Sequence, residues 1–418
     1  MKHTLPSNTF FKRNRDAFIA QMRPASAAVF RAAPRVRKNA DEDHKYEPDS
    51  DFFYLAGVEA PLAALVLYPG SQRSKQTLFI EKPDPKIEEW TGRRMTEAEA
   101  KEQSGCEAVG FIEQFERALG NVLTVVETVY LNYQPAPLDA PLNDDLQFIK
   151  AIRERFPHVG IVRANPLIAK QRLVKAPEEI GLLKEAIRIT GAGLAAAMRA
   201  SKPGLHEFEL QSAIEKAYLD NRSEGVGFQT IVAAGINACT LHYETNECAL
   251  KDGDLVLVDT GADYCHYTAD ITRTFPVNGI FSARQKEVYQ KVLDAQQQTI
   301  ALVKPGITLT ELNNKTREML VTACKDIGLK QETYEEYYTY VKHGVSHHLG
   351  LDAHDVIDLR DQPLAAGQVI TVEPGLYIAG ENIGIRIEDD VLVTEAGCEV
   401  LSKDIPREIA EIEALMGR

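Results

Sequence analysis

The sequence predicts two domains of different class, an α/β domain followed by an α+β domain. Three observations carry this reading. The chain has 418 residues, against roughly 150 for an average domain, so two or three domains fit and each can bury a core without staples. Up to about residue 170, short apolar runs alternate with helical patterns, the order of an α/β domain. Beyond it, strand segments are interleaved with helices and largely connected as hairpins, the order of an α+β domain.

Taken in order, Phe10–Met22 has helical spacing. Ala27–Val29, followed by the Arg31–Lys38 stretch, runs into the strand-like Phe52-Phe53-Tyr54-Leu55. Ala63–Tyr68 and Thr77–Ile80 read as strands, Thr96–Gln103 and Ile112–Leu119 as helices, and Val125–Leu131 as another strand. Pro135, Pro137 and Pro141 punctuate the end of this domain. A long helix from Pro177 to Arg199, stopped by Pro203-Gly204, opens the second unit, and Glu207–Asp220 is its next helix. The boundary falls near Ala169–Lys175, which divides the chain into 1–172 and 173–418.

In the second unit Leu255–Val258 is a continuous aliphatic strand ending at Asp259, with Thr260-Gly261 as the turn. Tyr264 to Phe275 is the returning strand, with Thr268, Asp270 and Thr272 on one face. Val369–Val372 ends at Glu373-Pro374-Gly375. Ile383, Ile385 and Ile387 alternate with Gly384, Arg386 and Glu388, so the Ile face is buried and Arg386 and Glu388 share the other face.

Composition removes whole classes of function. A net charge of −14 argues against a nucleic-acid-binding body, which needs a basic face. No apolar run approaches the roughly 18 residues of a membrane span. Six cysteines without a C-x-x-C pair make neither a disulfide framework nor a zinc-thiolate site. Cys239, Cys248, Cys265 and Cys398 read as small buried hydrophobes in a reducing compartment. The first 40 residues hold nine Lys/Arg against one acid, Asp16, which is the composition of a transit peptide. Their helix and strand patterns favour a folded cytoplasmic start instead.

The chemistry concentrates in the second unit. Six of the ten histidines lie between His242 and His354, and His343, His347, His348 and His354 fall within twelve residues. Asp259, Asp270, Glu373 and Glu388 sit at the ends or on single faces of apolar strands, where a carboxylate is costly unless paired or metal-bound. Four carboxylates and one imidazole suit two hard or borderline divalent cations such as Mn²⁺. Two such ions about 3.5–4 Å apart lower the pKa of a water between them and polarise a carbonyl, which is the chemistry of amide hydrolysis. Each residue alone has a plainer reading: Asp259 as a turn residue, Asp270 as a solvent-facing strand residue, Glu388 with Asp389 and Asp390 as a solvated edge. The ordered set is far more specific than its members.

The runs Leu241-His242-Tyr243, Asp254–Gly261, Tyr267–Val277, His343–Asp355, Thr371–Tyr377 and Gly384–Asp389 resemble the pita-bread metallopeptidases, and aminopeptidase P within them. Pro48–Gly57 and Glu88–Arg94 resemble the domain that precedes the catalytic one in aminopeptidase P and prolidase. The resemblance implies a pita-bread catalytic domain with Asp259, Asp270, His347, Glu373 and Glu388 as ligands of two metal ions, most simply Mn²⁺. It implies Glu373 as proton acceptor, His242 and His354 as handlers of substrate and oxyanion, His343 as recognition of the proline side, and Arg386 as the group that orients the carboxylates. His348 stands where the family often has a bulky aromatic and has no assigned role beyond the pocket wall. The implied reaction is release of the N-terminal residue from peptides with proline second, by a cytoplasmic homodimer or homotetramer in which Asp51 or Trp90 helps close a neighbour's site. The rival is a prolidase restricted to Xaa-Pro dipeptides; Ser346 and the lack of a long insertion near the motifs lean away from it. A creatinase-type enzyme or a non-catalytic binding module would lack the metal ligands, all of which are present.

Overall fold

The computed structural model describes residues 5–356, 359 and 361–417. It separates into two compact units, Leu5–Gln171 and the chain from Arg172 onward.

In the first unit, one mixed sheet is ordered Ala108–Phe111, Gln76–Ile80, Ala64–Leu67, Ser26–Arg31, Thr128–Leu131 and Gly160–Arg163. Parallel pairs lie at both ends, and the Ala64–Leu67 strand runs antiparallel to both its neighbours. Val29, Val66, Phe79 and Val129 form its core with Phe115 and Leu119 of the helix Phe115–Leu123. Phe52–Leu55 is not a strand. Ser50–Ala56 is a helix, capped where the Asp49 carboxylate accepts from the Phe52 amide (2.8 Å) and stopped by Gly57 in the left-handed region. The run is buried all round, and in such a run periodicity cannot separate helix from strand.

In the second unit, helices Pro177–Ala200 and Glu207–Asp220 pack against strands Ile231–Ala234, Leu255–Thr260 and Ile271–Pro276, which form an antiparallel sheet. The helices Ala283–Leu302 and Leu309–Asp326, each opened by a Ser or Thr capping box, complete the same core. A second antiparallel sheet joins Val369–Val372, Asp389–Thr394 and Gly397–Val400, and a ribbon joins Gly375–Ile378 to Ile383–Arg386.

Several local expectations are corrected here. The strand continues through Asp259 to Thr260, and the chain reverses instead at Cys265-His266, both with positive φ. Gly261 is required by close approach, because a Cβ there would lie 1.7 Å from the Ala269 carbonyl oxygen. The returning strand is broken at Ala269-Asp270, between Tyr267–Thr268 and Ile271–Pro276. Both faces of Ile383–Arg386 are buried, not the Ile face alone. Asp389 and Asp390 are fully buried rather than a solvated edge. Cys248 is exposed and Cys398 half-buried, while Cys239 and Cys265 are buried as expected.

Candidate active site

Strand ends deliver the acidic side chains. Asp259 is the penultimate residue of its strand, opposite Thr272. The break in the returning strand places Asp270 immediately before Ile271. Glu373 follows strand Val369–Val372, and Glu388 sits between Ile383–Arg386 and Asp389–Thr394. His347 lies on an extended segment laid along Val369–Val372, held by Thr371 N to His347 O and Glu373 N to Val345 O, both 2.9 Å.

These elements bring the five expected metal ligands and four of the residues expected to handle substrate to one cavity of about 280 Å³. It is lined by Asp259, Asp270, His347, Glu373 and Glu388, with His242, His343, His354 and Arg386. His347 Nε2 is 3.4 Å from Asp270 Oδ2 and 3.7 Å from Glu373 Oε1. One ligand atom from each of Asp270, His347 and Glu388 lies within 4.8 Å of the others. His347 Nδ1 is 3.1 Å from the His348 carbonyl, which fixes the ring so that Nε2 faces the carboxylates.

Arg386 organises the acidic set. It donates to Asp259 Oδ2 (2.5 Å), Thr272 Oγ1 (3.0 Å) and the Tyr377 hydroxyl (3.0 Å). The Thr272 hydroxyl in turn donates a hydrogen bond to Glu388 Oε2 (2.7 Å), and the Tyr377 hydroxyl lies 2.7 Å from His343 Nε2. One guanidinium thereby reaches three of the cavity's functional groups, one directly and two through a hydroxyl.

The electrostatics follow from burial. Burial pushes the Asp270 carboxyl up to about 6, with Asp259 adding to the push and His347 opposing it. Glu373 is pushed up to about 7 by burial and by Asp270 and Asp259, against His347 and Arg386. Glu388 stands well above the usual carboxylate range through burial, Asp270, Glu373 and Asp259. Burial pulls His347 down, but its bond to Asp270 and the charges of Asp270 and Glu373 outweigh this and raise it to about 9. His343 is lowered to about 4 by burial and by Arg386, and burial also lowers His354, so both rings are neutral at neutral pH.

This donor set fits divalent cations. Four carboxylates face one guanidinium, Asp259 Oδ1 is buried with no hydrogen-bond partner among the described residues, and three of the four carboxyl groups resist ionisation where they stand. Two dications supply the missing charge, and the oxygen-rich set with one imidazole and no thiolate suits hard or borderline ions.

The sequence reading missed the supports beneath this floor. Arg273, fully buried, donates to the carbonyls of Thr272 and Glu388 (3.0 and 2.6 Å) and to Asp389 Oδ1 (2.7 Å). Asp390 Oδ2 accepts from the Asp270 amide at 3.3 Å. The available signal was one Arg between Thr272 and Thr274 in a strand-like run and three consecutive carboxylates flanked by Ile387 and Val391. His348 does not line the cavity. Its ring is 2 % exposed, and both nitrogens lack a partner among the described residues. In the first unit Asp51 accepts from Asn165 at 3.3 Å, and Trp90 is 88 % exposed.

Comparison with known proteins agrees with this arrangement. The profile of metallopeptidase family M24 matches residues 181–395, and that of the aminopeptidase P N-terminal domain matches residues 11–130. A Xaa-Pro aminopeptidase of Escherichia coli is 36% identical over 427 residues, covering 97% of each chain. Among solved structures, E. coli aminopeptidase P with the inhibitor Pro-Leu is similar with a TM-score of 0.91 at 35% identity, covering 99% of both chains. The zinc-substituted form of aminopeptidase P from E. coli, in complex with product, matches with a TM-score of 0.91 at 34% identity, again over 99% of both.

Proposed function

Because the chain belongs to metallopeptidase family M24 and carries the aminopeptidase P type of N-terminal domain, we propose that it is a Xaa-Pro aminopeptidase. It hydrolyses the bond between an N-terminal residue and a proline in second position, with 1–172 as the accessory domain and 173–418 as the catalytic one. The observation that carries this is the meeting of four carboxylates, His347 and three further histidines in one cavity, in a chain similar to such enzymes along its length. The dipeptidase alternative is not favoured, since the full-length relatives are aminopeptidases.

Asp259, Asp270, His347, Glu373 and Glu388 would hold two divalent cations, which we assign as Mn²⁺. When bound, the cations polarise the scissile carbonyl and make water a nucleophile at neutral pH. The protein's own groups supply the rest. Glu373, which lines the cavity beside His347, takes the proton of the attacking water and returns it to the proline nitrogen as the amide breaks. His242 and His354 face the cavity, the latter as a neutral ring, and offer N–H groups to the oxygen on which charge develops. His343 has its Nδ1 on the Gly344 carbonyl (2.6 Å) and its Nε2 on Tyr377. It therefore presents a fixed ring rather than a free polar atom. That suits a pyrrolidine whose amide nitrogen carries no hydrogen.

We further assign a cytoplasmic homo-oligomer, dimer or tetramer, in which the exposed Trp90 or the half-buried Asp51 serves at a neighbouring subunit's site. The test of the activity is parallel turnover of Xaa-Pro-Yaa and Xaa-Pro by Mn²⁺-loaded protein, before and after chelation. Tripeptide cleavage that disappears with the chelator and returns with Mn²⁺ is expected. Cleavage of the dipeptide alone, or activity indifferent to the chelator, would overturn the reading.

A further inference from the structure

The histidine-bearing walls of the cavity come from segments a hundred residues apart. His242 follows the short helix Gly235–Cys239, and His343 begins the stretch that ends at His347. Lys342, an exposed residue, reaches between them. Its Nζ donates to the Cys239 carbonyl at 2.6 Å and stands 5.6 Å from the centre of the Tyr377 ring. Tyr377 is the residue whose hydroxyl meets His343 Nε2 and Arg386. The ammonium therefore grips the backbone before His242 on one side and rests on the ring that orients His343 on the other. Both contacts draw on its charge, a charge-assisted hydrogen bond and a cation–π contact.

The turn that carries His242 is held at its far end by other bonds. The Tyr243 hydroxyl donates to Glu207 (2.8 Å), and Gln229 Nε2 donates to the Glu244 carbonyl (3.0 Å). His242 thus sits on a span anchored after it by Glu207 and Gln229 and before it by Lys342. We infer that Lys342 is a positioning residue that sets the separation of the His242 and His343 walls and hence the aim of His242 at the substrate. This rests on the aminopeptidase reading for its catalytic consequence, although the clamp itself is a feature of the chain alone.

The experiment compares Lys342→Met and Lys342→Arg with the unaltered, Mn²⁺-loaded protein. Misplacement of a group aimed at developing charge lowers turnover more than binding, so Lys342→Met is expected to lose about tenfold in kcat with KM changed less than about threefold. Its Tm stays within about 2 °C, because the residue is exposed and outside the core. Lys342→Arg regains most of the loss, since a guanidinium can also donate to a carbonyl and stack on a ring. In the metal-free protein, hydrogen exchange at 240–242 is faster in the Met variant than in the unaltered chain. Unchanged kcat in Lys342→Met, or an Arg variant no better than Met, overturns the inference. If the unaltered protein cleaves no Xaa-Pro peptide, the activity reading fails by itself. The exchange result then decides the clamp: faster exchange at 240–242 sustains it, and identical exchange removes it.

Discussion

Asp355 offers the sharpest test of how the loop beneath the active site is held. It follows His354, is fully buried, and pairs with Lys175 Nζ (2.9 Å) and with Arg172, which also reaches Asp352 Oδ2 (2.6 Å). Lys175 and Asp355 side chains are each 1 % exposed. Gly350 is fitted to this cluster, since a Cβ there would fall 2.5 Å from Asp355 Oδ2. The substitution Asp355→Asn removes a charge while keeping shape and one acceptor. At 2.9 Å and an effective dielectric near 20, the pair is worth about 6 kcal/mol in Coulomb terms. A hydrogen bond from the Lys175 ammonium to the amide oxygen returns about 2 kcal/mol of that. Breaking a buried pair costs about 3–5 kcal/mol, and the same range is expected here. For a unit of this size each kcal/mol moves Tm by about 2–4 °C, so thermal unfolding at pH 7 and fixed metal content should fall by about 10 °C. The pH dependence has a definite sign. Burial would raise the Asp355 carboxyl, but Arg172 and Lys175 together hold it below the ordinary range. Its contribution is therefore complete above the unfolded value near 4 and is lost only as pH falls through the still lower folded value. The gap between variant and parent should be flat from pH 6 to 8 and close in strong acid. In the double variant Lys175→Met/Asp355→Asn the orphaned ammonium is gone, and at least half the loss should return. A single variant within about 1 kcal/mol of the parent, or a double variant no more stable than the single, would refute the reasoning.

Two further outcomes follow from the site. Asp270→Asn should abolish peptide hydrolysis yet raise the Tm of the metal-free protein above pH 7. The parent carboxyl, held near 6 by burial, stabilises the fold when protonated and loses that contribution as pH rises. The advantage of the Asn variant should shrink as pH falls through about 6 and vanish only below the unfolded value near 4, and an advantage that instead grows in acid would contradict the assignment. Thr272→Val leaves shape but removes the hydroxyl between Arg386 Nε and Glu388 Oε2. Metal affinity, read by elemental content after dialysis, should drop about 10- to 100-fold, as for other groups that orient ligands; undiminished metal content would show that the link is idle.

The parts legible in the sequence were those with an external signature. Asp259, Glu373 and Glu388 announced themselves because a carboxylate ends an apolar strand run, and the helices at Pro177 and Glu207 because caps and periodicity agree. The helix at Ser50–Ala56 was not legible by period, although Asp49 and Gly57 mark both its ends. The turn placed at Thr260-Gly261 shows the same limit. A glycine is demanded equally by a reversal and by a neighbouring carbonyl, and only the packing of Ala269 against it distinguishes the two. Asp389 and Asp390 beside Glu388 read as a wet edge because their partners, Arg273 and Arg407 for one and the Asp270 amide for the other, are remote in sequence.

Those remote partners also explain how so acidic a floor can fold before any cation arrives. Asp270 and Glu388 repel each other and Asp259, so the carboxylates cannot be what holds their strands together. Arg273 does this from behind. Its Nε donates to the Pro406 carbonyl (2.8 Å), and its terminal nitrogens donate to the carbonyls of Thr272, Glu388 and Ile405 and to Asp389. Asp389 in turn accepts from Ser402, Gln296 and Arg407, each at 2.6 Å, and the charges of Arg273 and Arg407 hold its carboxyl low despite complete burial. Asp389 is thus matched by two guanidiniums, whereas its neighbour Asp390 is held well above the usual carboxylate range by burial and by Asp270. The backbone of Thr272 and Glu388 is fixed by Arg273 from behind, and the repulsion left on the cavity face, a cost to the metal-free fold, is relieved when dications bind.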